Sequence, residues 1–195
     1  MSCDKIIPNA KAIFIVESPH IDEVKNTPCI PLVGESGKIM SKMLFGKDKA
    51  IGLLEDNPYS LMNTFTEALQ KSDKLKDLNS DIKKIEYENS KQYKDELKQI
   101  YKKYESVINK ENYKTRFISI SKKTNKCIIC GLIAQAFFEY AFDVDKTKFK
   151  QSFDYKVNKY KKIKIFYIEH PSPKDDESPW VANGIKELKT FLEIK

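Results

Sequence analysis

Short apolar runs alternate along this chain with segments whose apolar residues recur at helical spacing. The apolar runs predict four strands, at residues 12–17, 59–63, 127–130 and 163–168. The helical spacing predicts helices at residues 36–45, 132–140 and 181–193. Residues 18–33 contain three prolines and are predicted to form a loop. Because strands and helices alternate, we expect an α/β fold: a three-layer sandwich with helices on both faces of a mostly parallel, four-stranded central sheet.

Residues 71–110 differ from the rest of the chain in their high content of lysine, aspartate, glutamate and asparagine. Apolar residues still recur at helical spacing there, which predicts two amphipathic helices rather than a linker. Their basic, tyrosine-bearing face either contacts nucleic acid or is a solvated surface. Residues 116–120 are either a strand or the end of this helical region. We therefore expect a single domain over residues 1–195 with a charged helical insertion at about 71–110.

The composition excludes a disordered chain and a membrane-spanning one. Of the 195 residues, 41% are hydrophobic and 32% charged, which is typical of a globular domain. No run approaches the roughly 20 apolar residues of a membrane span. No signal peptide is evident at the N-terminus, so we expect a cytoplasmic protein with reduced cysteines. The net charge of +7 suits either a polyanionic partner or solubility, and Arg116 is the only arginine.

Polar clusters follow the first and the last predicted strands. The first is Glu17-Ser18-Pro19-His20 and the second is His170-Pro171-Ser172-Pro173, and they contain both histidines of the chain. Proline ends a buried strand because it has no N–H for the sheet. The ends of parallel strands lie at one edge of the sheet, where ligands bind in α/β folds. We therefore expect Glu17, Asn63, Gly131 and His170 to converge there.

The glycine-rich segment Gly34-Glu35-Ser36-Gly37-Lys38 is not a P-loop. The P-loop pattern requires glycine at the position of Leu32 and serine or threonine at the position of Ile39. Ser36 is a candidate N-cap for the helix that follows. Two interpretations stay open: this helix N-terminus binds a DNA phosphate through backbone N–H groups, or it is an ordinary turn.

Cys127 and Cys130 have the spacing of a metal or redox pair, but they lie within an apolar strand. Side chains alternate along a strand, so the two sulfurs are predicted to point to opposite faces of the sheet. Cys3 and Cys29 do not supply a second close pair. We therefore interpret Cys127 and Cys130 as buried structural residues and expect no zinc site.

Taken together, these segments resemble the uracil-DNA glycosylase superfamily. Its iron–sulfur branch has a strand ending in Gly-Glu-Ala-Pro-Gly and then Pro-Phe-Val-Gly-x-Ala-Gly opening a helix, similar to residues 16–20 and 31–37 here. The family's asparagine-ending strand resembles residues 61–63, and its Val-Ala-Leu-Gly-x-x-Ala-Ala-Gln-Ala strand–helix unit resembles residues 128–136. Its His-Pro-Ser-Pro motif is present at 170–173. The resemblance covers residues 12–45, 58–66, 126–140 and 163–192.

The resemblance implies a role for each matched residue. Glu17 and His170 would be catalytic, with Glu17 activating water or stabilising the sugar cation and His170 stabilising the departing base. The residues implied to bind the flipped base are Ser18, His20, Leu32 and Asn63, of which Asn63 would recognise the base edge. Those implied to contact the DNA are Gly34, Ser36, Gly37, Lys38, Ser172, Pro173 and Lys174.

Three positions depart from the family pattern. Leu32 stands in place of the phenylalanine that stacks on the base, His20 in place of a glycine, and Val16 in place of the motif's first glycine. The cysteine spacing of the iron–sulfur branch is absent, so no cluster, metal or other cofactor is expected.

The function implied is that of a monofunctional, monomeric DNA glycosylase. It would hydrolyse the N-glycosidic bond of uracil or another deaminated or damaged base in DNA, as in base excision repair, without contact with membranes. Two alternatives stay open: a non-catalytic protein that binds DNA or a damaged base on the same fold, and an enzyme acting on free nucleosides or nucleotides.

Overall fold

The structure, a computed structural model, describes residues 3–24, 28–69, 72–144, 152–159, 161–171 and 184–194. Its centre is a five-stranded sheet in the order β2-β1-β3-β5-β4. The strands are β1 (Ala12–Val16), β2 (Tyr59–Asn63), β3 (Lys126–Cys130), β4 (Ser152–Lys156) and β5 (Lys162–Ile168). All neighbouring pairs are parallel except β4 with β5. The prediction of a mostly parallel α/β sheet is confirmed.

Seven α-helices are present in the described residues. They are α1 (Ile21–Val24), α2 (Glu35–Phe45), α3 (Lys76–Lys83), α4 (Ser90–Lys103), α5 (Lys110–Ser121), α6 (Leu132–Phe142) and α7 (Ile185–Leu192). Short 3₁₀ turns lie at Ile51–Leu53 and Asp73–Leu75. Across the ranges described, no helix is both long enough and apolar enough to cross a bilayer.

Helices cover both faces of the sheet. On one face, alternate strand residues such as Ile13, Cys127 and Ile165 pack against α3 to α6. On the other face, residues such as Phe14 and Cys130 pack against α2 and α7. Buried strands require apolar residues on both faces, which explains their continuous apolar runs. Cys127 and Cys130 are free, buried and on opposite faces, as predicted.

The predicted number of strands, four, is wrong, because β4 adds an antiparallel edge strand. Phe153 and Tyr155 alternate with exposed polar residues along β4 and pack on the core. Only one face of this edge strand is covered, so it has no continuous apolar run. Its short alternation is inconspicuous in a lysine-rich stretch.

The charged segment at about 71–110 contains two helices, α3 and α4, as predicted. Their apolar stripes are buried against the core, including Leu78, Leu97 and Tyr101. The Tyr101 hydroxyl donates to the Ile133 carbonyl at 3.0 Å. This part of the tyrosine-bearing face therefore lies inside the protein. Residues 116–120 belong to α5, so this segment, for which the sequence left strand and helix open, is helical.

Two local predictions are wrong. The segment 18–33 was expected to be a loop throughout, but it contains α1. Ser36 was expected to cap α2, but Gly34 holds the N-cap position and no side chain caps the helix. The last helix begins later than predicted, with Gly184 as its N-cap, and residues 181–183 lie outside the described ranges.

The expectation that all cysteines are reduced is wrong for Cys3 and Cys29, which form a disulfide with their Cα atoms 5.1 Å apart. The N-terminal segment runs antiparallel to β2 through a bridge between Lys5 and Leu61, which carries Cys3 to the segment before α2. The 26-residue separation concealed this proximity in the sequence.

Candidate functional site

A cavity of about 200 Å³ opens at the carboxyl end of β1. The chain passes from β1 to β2 on one side and later places β3 on the other side of β1. Such a reversal of strand order leaves a crevice at the strand ends, where α/β proteins bind ligands. The residues that line the cavity are Val16, Glu17, Ser18, Pro19, His20, Glu23, Leu32, Ser36 and His170.

The site brings together Glu17 from the end of β1 and His170 from the end of β5, although β3 lies between these strands. Gly131 follows β3 and makes this possible. Its φ is +86°, and a Cβ there would lie 3.1 Å from the Cβ of His170. A larger residue would be strained and would crowd the imidazole. Gly131 N–H also donates to the Ile168 carbonyl at 2.8 Å, which anchors the end of β5.

Glu17 is a half-buried carboxyl group with no cationic partner among the described residues. Burial alone raises its pKa to about 7. The backbone around it is tied to β2: the Val16 carbonyl accepts from Thr64 N–H at 2.8 Å and the Glu17 carbonyl from Phe65 N–H at 3.1 Å. An acid with this pKa exists in both protonation states at neutral pH, which suits proton transfer.

His170 is also half-buried, and burial lowers its pKa to about 4. The imidazole is therefore neutral at physiological pH and can donate one hydrogen bond without carrying a charge. An acid that ionises near neutrality and a neutral imidazole thus share one cavity.

Glu23 is a residue of the site that the sequence analysis missed. It lies on α1, is only 5% exposed, and lines the same cavity. Burial raises its pKa to about 7, and nearby backbone groups and the Asn63 side chain lower it in part. In the sequence, Glu23 is a single acid within a segment predicted to be a loop, so no helical or strand periodicity marked it as a site residue. Its position six residues after Glu17 became meaningful only when the chain folded back at Pro19.

Leu32 forms one wall of the cavity in a left-handed conformation, with φ of +56°. Its N–H donates to Glu23 Oε1 at 2.8 Å, and its carbonyl accepts from Gly52 N–H at 3.2 Å. A Cβ on Gly37 would lie 1.9 Å from the Leu32 carbonyl oxygen. Gly37 is therefore needed for close packing, a role that the sequence did not indicate. Strained residues of this kind concentrate at functional sites.

Asn63 lies at the end of β2 in register with Val16, but it is not among the residues that line the cavity. Its Nδ2 donates to the Cys3 carbonyl at 2.9 Å and its N–H donates to Asp4 at 3.1 Å. Arg116 pairs with Asp4 and donates to the Asn63 carbonyl. The fully buried amide is thus held by the N-terminal segment.

The other predicted site residues fall into three groups. Ser18, His20 and Ser36 line the cavity, and His20 is the most exposed of them. Gly34 and Lys38 lie at the exposed start of α2, where Lys38 pairs with Glu35 at 2.6 Å. Ser172, Pro173 and Lys174 lie outside the described residues.

A larger cavity, of about 940 Å³, lies between α4, α5, α6 and β4, but several of its charged residues already form ion pairs with one another. Lys98 pairs with Asp95 and Glu139, and Lys114 pairs with Glu111. Matched charges of this kind are typical of a structural surface. Among the residues that the structure describes, no cluster of three acidic, histidine or cysteine side chains could hold a metal ion.

No family model matches the chain, and no curated protein sequence matches it. The fold and the cavity together define an α/β protein whose parallel strands carry, at their carboxyl ends, an acid with no cationic partner among the described residues and a neutral imidazole.

Proposed function

We propose that this protein is a DNA glycosylase of the uracil-DNA glycosylase superfamily, which excises a deaminated or damaged base without a cofactor. The observation that carries the proposal is that Glu17 and His170, from motifs 153 residues apart in the chain, line one small cavity. The order of the motifs along the chain supports the same superfamily.

The two side chains suit the charges that develop when an N-glycosidic bond breaks. The sugar becomes cationic and the departing base becomes anionic. Ionised Glu17 stabilises the sugar cation and orients the attacking water. Neutral His170 donates a hydrogen bond to the base oxygen that gains negative charge, and its low pKa keeps it from placing a permanent cation beside the sugar.

The cavity volume favours a ligand of nucleobase size. At about 200 Å³ it is smaller than the roughly 300–1,000 Å³ of sites for drug-sized molecules. A base in duplex DNA reaches such a cavity only by leaving the stack. The start of α2 borders the cavity through Ser36, and under the proposal its backbone N–H groups and Lys38 hold a nearby phosphate. Residues 172–174 also contact the duplex under the proposal.

The test uses duplex oligonucleotides that each contain one uracil, hypoxanthine or xanthine, followed by alkali to cut at abasic sites. We expect cleavage at one or more of these bases with the wild-type protein. Glu17→Gln should lower the single-turnover rate by about 10²–10⁴-fold and His170→Ala by about 10²–10³-fold. The matched control, Glu55→Gln at an exposed position, should keep the wild-type rate. No abasic sites on any substrate, or normal rates in both site variants, would contradict the proposal.

One observation favours the non-catalytic alternative. Leu32 gives the cavity an aliphatic wall where the family has a base-stacking phenylalanine. Salt-dependent binding of the same oligonucleotides without base release would support that alternative.

A further inference from the structure

Three buried aromatic rings pack together where β2, α4 and α6 meet. Phe65 follows the end of β2, Tyr101 belongs to α4 and Phe137 to α6. The ring centroids of Phe65 and Tyr101 each lie close to that of Phe137, at 5.2 and 5.1 Å, and they are 6.3 Å from each other. All three pairs are edge-to-face, an arrangement that aromatic rings prefer. This three-ring cluster therefore fixes α4 and α6 against the chain that leaves β2.

The three-ring cluster is connected to Glu17 through Phe65. The Phe65 N–H donates to the Glu17 carbonyl at 3.1 Å, and the Phe65 ring packs against Tyr101. The charge of Glu17 also adds to the effect of burial in raising the pKa of Tyr101, which agrees with a carboxyl group on this side of the cluster. Tyr101 thus supports the residue that holds the backbone of Glu17.

Tyr101 is connected to His170 through α6. Its hydroxyl donates to the Ile133 carbonyl at 3.0 Å, in the first turn of that helix. Gly131, two residues earlier, packs so closely on His170 that a Cβ there would lie 3.1 Å from the histidine Cβ. One side chain therefore contacts both the residue that holds Glu17 and the helix turn that lies against His170.

We propose, on the basis of the proposed function, that Tyr101 is a positioning residue that aligns Glu17 with His170 for base excision. Its ring supports Phe65, and its hydroxyl fixes the first turn of α6. The proposal also gives the charged segment at 71–110 a role, since α4 supplies Tyr101 from its buried face. This role does not depend on the exposed lysines of the segment.

The test compares two buried tyrosines that pack on the same ring. The ring of Tyr113, on α5, lies 5.0 Å from that of Phe137, but the Tyr113 hydroxyl meets no hydrogen-bond partner among the described residues. Tyr101→Phe removes the hydroxyl alone and Tyr101→Leu removes the ring as well, with Tyr113→Phe and Tyr113→Leu as matched controls. NMR titration measures the pKa of Glu17 and of His170, and the uracil oligonucleotide gives the single-turnover rate.

We expect Tyr101→Leu to loosen both side chains and admit water to them. Because burial causes both shifts, the pKa of Glu17 should fall from about 7 toward 4.5 and that of His170 should rise from about 4 toward 6.5. The single-turnover rate should fall by about 10–100-fold. Glu23 titrates near the same pH, so Glu17→Gln identifies the signal of Glu17.

Tyr101→Phe tests the hydroxyl by itself. It should raise the pKa of His170, leave that of Glu17 near 7, and lower the rate by about threefold or more. The two Tyr113 variants should keep the wild-type pKa values and rate, even where their melting temperatures fall.

A purely structural role for Tyr101 predicts a different result. Tyr101→Leu and Tyr113→Leu would then lower the melting temperature alike and leave both pKa values and the rate unchanged, which would overturn the proposal. Where the leucine variant does not fold, Tyr101→Phe decides: a wild-type rate with an unchanged pKa of His170 overturns the proposal.

The titrations need no substrate and therefore separate this inference from the glycosylase proposal. Shifted pKa values in a protein that releases no base from any oligonucleotide would contradict the glycosylase and keep Tyr101 as the residue that positions the two side chains. Base release at the wild-type rate in both Tyr101 variants would keep the glycosylase and contradict the role of Tyr101.

Discussion

Half-buried Glu17 and fully buried Glu139 show how differently this protein treats an acid withdrawn from water. Burial raises the pKa of both. Glu139, on α6, lies 2.5 Å from Lys94 Nζ and 3.3 Å from Lys98 Nζ, both on α4. These lysines lower its pKa again in part. Within the part of the chain that the structure describes, no lysine or arginine lowers the pKa of Glu17 in this way, and Glu17 faces a cavity.

The difference separates a structural acid from a candidate catalytic one. The paired acid, Glu139, holds α4 against α6, with the Lys94 and Glu139 side chains both almost fully buried. Glu17, which has no cationic partner among the described residues, lowers the stability of the fold and keeps a pKa near neutrality, as a proton-transfer group requires. Burial of an acid alone therefore does not indicate a functional site. Burial of an acid without a counter-charge, beside a cavity, does indicate one.

The largest effect on the free energy of unfolding is expected when Glu139 loses its cationic partner and so comes to resemble Glu17. Lys94→Met removes the closest cation and leaves Glu139 buried without its main partner, which should lower the free energy of unfolding by about 3–5 kcal/mol. Urea denaturation measures this loss. The double variant Lys94→Met/Glu139→Leu should recover most of it. A loss below about 1 kcal/mol in the single variant would show that the pair does not anchor α4.

A smaller change in stability is expected when either Glu17 or Glu139 is replaced by glutamine, and its sign should differ between the two positions. Since the pKa of Glu17 is raised, the protonated form is favoured in the folded state, and stability is lost as the pH rises from 4.5 through about 7. Glu17→Gln should therefore stabilise the protein by about 2 kcal/mol at pH 8. The gain should vanish toward pH 4.5.

Glu139→Gln is the matched comparison, and it should destabilise the protein at pH 8 because it leaves Lys94 buried without its counter-charge. Thermal unfolding at several pH values measures both variants. Destabilisation by Glu17→Gln at pH 8 would mean that Glu17 has a stabilising partner in the folded protein.

The smallest effect concerns the pH dependence of base excision. If ionised Glu17 is required, the single-turnover rate should fall about fivefold from pH 7 to pH 6 and level off above pH 8. His170 stays neutral over this range. Glu23 titrates near the same pH, so the profile of Glu23→Gln isolates the contribution of Glu17. A rate that rises toward acid pH would assign the protonated form of the acid to catalysis.

Much of the fold and part of the site could be predicted because they depend on local patterns. Apolar runs marked β1, β2, β3 and β5, and periodic spacing marked α2 and α6. The convergence of Glu17 and His170 followed from a general property of parallel strands, whose carboxyl ends share one edge. The edge strand β4 was missed because only one of its faces is covered.

Sequence by itself determined the four buried strands, most of the helices and the two motifs that meet at the sheet edge, because hydrophobic periodicity and proline-ended strands act over a few residues. Only the tertiary structure decided that Asn63 is held by the N-terminal segment, that Glu23 enters the cavity, and that Cys3 reaches Cys29. Those contacts join residues that are distant in the chain or separated by an irregular turn. Their geometry is set by packing around them, which no local pattern encodes.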